Sequence, residues 1–68
     1  MENEELIQLY HRLQALRLEH GDLDAAIDAM QVNPYADQLQ LRRMKKRKLQ
    51  LKDAITRIES KLIPDLNA

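Results

Sequence analysis

No cysteine, tryptophan or phenylalanine occurs in these 68 residues, which contain one glycine and two prolines. Without cysteine, disulfides and thiolate metal sites are excluded. So few glycines, prolines and aromatics argue against a β fold built on many tight turns. No apolar run approaches the ~20 residues that cross a bilayer. The opening Met1-Glu2-Asn3-Glu4-Glu5 is acidic, the wrong sign for a signal peptide. A cytoplasmic protein with no membrane association is expected. A nucleophile paired with a base is also lacking, and 8.0 kDa leaves little room for a pocket. Neither an enzyme nor a cofactor is expected. The two histidines, His11 and His20, are nine residues apart, which is not a chelating step on a helix. No metal site is expected either.

What remains is 32% charged and 44% apolar residues, the balance of an amphipathic helical protein. A single core of this size contributes only ~3–5 kcal/mol, so such chains usually add a staple or a partner. Covalent staples are missing here, which points to self-association.

The net charge is zero but unevenly placed. Residues 1–33 carry seven acidic side chains against Arg12 and Arg17, a balance of −5. Residues 34–68 carry nine basic side chains against Asp37, Asp53, Glu59 and Asp65, a balance of +5. Two such halves suit two elements packed on each other.

Both halves carry an apolar stripe. Leu6, Leu9, Leu13, Leu16, His20, Leu23, Ile27 and Met30 step by three and four alternately. So do Leu41, Met44, Lys48, Leu51, Ile55, Ile58 and Leu62. This is the heptad pattern of helices that pack along a seam. Gly21 is a weak helix former, but the stripe keeps its register across it, which predicts one helix over about 3–31. The second helix is expected over about 37–63, ended by Pro64, with a short tail beyond. Between them, Asn33 with Pro34, or Asp37 with Gln40, is a candidate cap. The connection over about 32–36 is short, so the helices are antiparallel neighbours. Seam residues whose numbers sum to 71 then lie level: Met30 with Leu41, Ile27 with Met44, Leu23 with Lys48, His20 with Leu51. Leu16 with Ile55, Leu13 with Ile58 and Leu9 with Leu62 continue the series. The fold class expected is all-α: a coiled-coil-like antiparallel two-helix hairpin, assembled as a dimeric four-helix bundle.

The segment Arg43-Met44-Lys45-Lys46-Arg47-Lys48-Leu49-Gln50-Leu51-Lys52-Asp53 resembles the signature of the bacterial YdcH-like family. Glu19-His20, Leu23-Asp24 and Ile27 add to the likeness, which spans roughly residues 13–60. The resemblance implies a small helical hairpin able to self-associate, and it says little about a biological role. Longer members differ from this chain in their N-terminal lead.

Three features invite a functional reading. Arg42, Arg43, Lys45, Lys46 and Arg47, followed by Lys48, form a basic run suited to nucleic acid. The plain alternative is compensation by Asp24 and Asp28, which lie level with it, with Asp22 just beyond. That would leave nucleic-acid binding weak and salt-sensitive. Lys48 and His20 are the two polar seam positions. Lys48 is expected to lay its stem along the seam and reach Asp24 or Asp28, a polar layer that fixes register. His20 is expected to be an ordinary seam histidine beside Asp24. Finally, Ile7, Leu18, Leu49, Thr56 and Ile63 lie off the seam, a candidate flank for self-association; Tyr10 and Leu39 are also off it. The overall expectation is an interaction or structural protein that forms a homodimer, with nucleic-acid binding as the alternative and an unidentified protein partner also possible.

Overall fold

The computed structural model describes residues 3–62. Helix α1 runs Asn3–Gln31 and helix α2 runs Gln38–Leu62. They pack against each other as a hairpin, and no strand is present among the described residues. Its extents are 49 × 26 × 15 Å, so the molecule is one helix thick.

Helix α1 passes through Gly21 without a break. A Cβ at Gly21 would meet nothing within 4 Å beyond the backbone of its own helix. The glycine therefore weakens the helix without making room for anything. Gly21→Ala is expected to raise stability by about 0.5–1 kcal/mol, read as a higher midpoint in a denaturant melt. Glu4 and Glu5 sit in the first turn of α1 and Lys61 in the last turn of α2, each matching the helix dipole.

The turn decides between the two candidate caps. Asp37 Oδ1 accepts from the backbone N–H groups of Leu39 (2.9 Å) and Gln40 (3.2 Å). Its carbonyl accepts the first helical bond, from Leu41 N–H at 2.9 Å. Asp37 is thus the N-cap, and α2 begins at Gln38. Asn33 shapes the turn instead. Its Oδ1 accepts from Tyr35 N–H at 2.9 Å, and its carbonyl accepts from Ala36 N–H at 3.1 Å. Ile63, the terminating Pro64 and the expected tail lie outside the described residues.

Leu13, Ile27, Leu41, Leu51, Ile55 and Ile58 are the buried side chains among the described residues. Leu13, Ile55 and Ile58 form one cluster, with Leu9, Leu16 and Leu62 packed on it. The cluster lies at the open end of the hairpin, far from the turn. Leu51 is the most enclosed side chain, 1% exposed. Leu6, Leu9, Leu16, His20, Leu23, Met30, Met44, Lys48 and Leu62 stay half-buried. A two-helix layer covers its seam from one side of each helix and leaves the rims of the seam open to water.

Candidate functional site

Three ion pairs tie the helices together, and their places follow from the heptad. Arg17 and Glu59 each follow a seam residue by one, so they share one edge of the interface. Arg17 Nη2 lies 2.6 Å from Glu59 Oε2. Glu19 and Arg47 each precede a seam residue and meet across the other edge at 3.2 Å. Both pairs are well exposed, which limits each to a modest contribution.

The third pair is the polar layer. Lys48 Nζ meets Asp24 Oδ1, with the lysine side chain about two-thirds covered. The hydrogen bond from Lys48, and then its charge, hold the Asp24 carboxyl below its ordinary value. His20 adds a smaller pull the same way, and partial burial opposes it. Asp28 is not a member of this layer. It is exposed and forms no ion pair among the described residues. The reason is angular: Asp24 follows Leu23 on the edge that faces α2, whereas Asp28 follows Ile27 on the edge that turns outward.

The same geometry corrects the expectation for the basic run. Arg47 is matched by Glu19 and Lys48 by Asp24. Arg42, Arg43, Lys45 and Lys46 are exposed and have no ion-pair partner among the described residues. Asp28 lies level with Arg43, and Asp22 just beyond the run, but both project from the outer side of α1, out of reach.

The candidate self-association flank is open to water. Ile7, Leu18, Leu49 and Thr56 are all exposed, Leu18 and Leu49 by more than two-thirds. Thr56 Oγ1 donates to the Lys52 carbonyl at 3.0 Å. Beside this flank runs a groove of about 370 Å³ lined by Tyr10, His11, Gln14, Leu62 and the Arg17–Glu59 pair. Sequence reasoning missed this groove. The signal was present in Tyr10 and Arg17, seven residues apart on the edge next to the seam. On the opposite edge a shallow groove of about 680 Å³ is walled by Arg12, Arg47, Arg57 and Lys61. Two of those cations are already matched, Arg47 by Glu19 and Arg57 by Asp53.

Among the described residues no three His, Asp or Glu side chains stand close enough to hold a metal ion. No helix there is long and apolar enough to cross a membrane. A family model described as a protein of unknown function, DUF465, matches residues 13–59. No curated protein and no solved structure matches the chain.

Proposed function

The chain belongs to this family of small bacterial proteins, which includes the YdcH-like members, and we propose that it is a non-enzymatic interaction protein that pairs with a second copy of itself. The observation that carries this reading is the half-open seam. Leu16, Leu23, Met30 and Met44 face the partner helix, yet each keeps part of its surface in water. A second hairpin laid on this layer would cover those rims together with Ile7, Tyr10 and Leu49, giving a four-helix bundle. Small size adds support, since apolar burial in so short a chain barely offsets chain entropy. The reading places the dimer in the cytoplasm.

Sedimentation equilibrium over a concentration series tests it. About twice the 8.0 kDa chain mass is expected, with a melting temperature that rises with concentration. Ile7→Glu combined with Leu49→Glu should return the mass to that of one chain while the helices persist by circular dichroism. A cooperative monomer at every concentration overturns the reading.

A further inference from the structure

We propose that the outward face of the first half of α2, with the turn before it, binds the phosphate backbone of a single-stranded nucleic acid. The proposal is independent of the pairing of copies. It starts from a stretch with no acidic residue: between Asp37 and Asp53 the chain holds seven cations and no carboxylate. Two of the seven are spent on Asp24 and Glu19. Of the other five, Arg42, Arg43, Lys45 and Lys46 are fanned over the outer side of about one and a half turns, and Lys52 lies further along α2. Leu39, Arg42, Arg43 and Lys46 follow the step of one helix face, with Lys45 at its margin. Arg42 and Lys45 also line a cleft of about 220 Å³ with Gln38 and Leu41, large enough to seat an anionic group.

This arrangement is unfavourable to the free protein in two ways. Arg42 with Lys45 and Lys46, and Arg43 with Lys46 and Arg47, are like charges three or four residues apart, which weaken a helix. They also crowd toward the N-terminal half of α2, where the helix dipole is positive. A bound polyanion relieves both. Tyr35 adds a second feature at the same end of the hairpin. It is 93% exposed, so nothing within the chain holds its ring, which is free to stack on a base.

A fan of cations with one free aromatic suits a flexible strand, whose phosphates can follow the helix while a base leaves the stack. A membrane surface fits less well. The apolar stripe of α2 is spent on the hairpin through Leu41, Leu51, Ile55 and Ile58, which leaves only isolated Leu39 and Leu49 to enter lipid.

Fluorescence anisotropy with a short oligouridylate, at a series of salt concentrations, tests the proposal. Four phosphate contacts predict a log–log salt slope of about −3, or about a 50-fold loss of affinity between roughly 50 and 200 mM. Replacing Arg42, Arg43, Lys45 and Lys46 by Gln should abolish the slope and weaken binding at least about tenfold. That variant should melt at or above the parent, since the four side chains support no ion pair among the described residues and repel one another. Tyr35→Ala should weaken binding about tenfold with the slope unchanged. Binding by the four-Gln variant equal to the parent's overturns the proposal. So does absence of binding at low salt, or binding only to vesicles of phosphatidylcholine and phosphatidylserine. Preference for a duplex with no effect of Tyr35→Ala overturns it too.

Discussion

Leu51→Ala is expected to cost about 2–5 kcal/mol, enough to leave most of the chain unfolded at room temperature and low concentration. Leu51 is 1% exposed and sits mid-seam on α2, one turn from Ile55 and level with His20 on α1. Truncation leaves a methyl in place of an isobutyl side chain, in a layer whose facing residue is a polar ring that cannot expand to fill the gap. The helices are long and straight, so the backbone cannot collapse locally without opening the layers on either side. In a domain this small the loss equals most of the stability a single core supplies. Gln50→Ala is the control, one residue away and exposed, and should stay within about 0.5 kcal/mol of the parent. Denaturant melts followed at 222 nm (roughly the helical minimum, where lost helix reports hairpin opening) separate the two. Equal midpoints would show that Leu51 does not anchor the hairpin.

Two substitutions of Lys48 are expected to move stability in opposite directions. Lys48→Leu places an apolar side chain of suitable size for the seam against Leu23 and should melt at or above the parent. A polar seam residue sets register at a cost in stability, so this variant should also sample more than one assembly size. Lys48→Asp puts a second carboxylate beside Asp24 in a partly covered layer and should melt several degrees lower, a clear shift for a domain of this size. Acid narrows that gap. In the parent, Lys48 lowers the pKa of Asp24, so its contribution is complete above the ordinary aspartate value of 3.8 and fades as pH falls through the depressed one. In the variant, repulsion between the two carboxylates raises their pKa values, so the penalty fades in the same direction. A gap that stays constant from neutral to acidic pH would show that Lys48 and Asp24 do not communicate.

The seam could be read from residue spacing because packing along a hairpin is one-dimensional. Once Leu13 and Ile58 face each other, the alternating step carries every other layer with it. The family could be read as well, since the run around Lys48-Leu49-Gln50-Leu51-Lys52-Asp53 lies within the matched residues. The turn was less legible, because Asn33 and Asp37 have nearly the same capping chemistry. Only the path of the chain between them shows which carbonyl receives the first helical bond. Charge pairing was the least legible. Levels along the axis suggested Asp22, Asp24 and Asp28, but reach across an interface depends on angle. Glu19 pairs because it precedes His20 on the inner edge, and Asp28 does not because it follows Ile27 on the outer edge.

The register has a topological corollary. A pairing rule in which level positions have a constant sum is its own mirror. If the turn were straightened into helix, residue i of one chain could meet residue 71 − i of another in every layer. The same contacts would then hold together an antiparallel rod about 90 Å long, at 1.5 Å per residue. Apolar packing does not distinguish the rod from the hairpin. That choice rests on a few backbone and cap bonds at Asn33 and Asp37, together with the fixed torsion of Pro34. Six residues without a buried side chain therefore determine whether the seam closes within one molecule or between two.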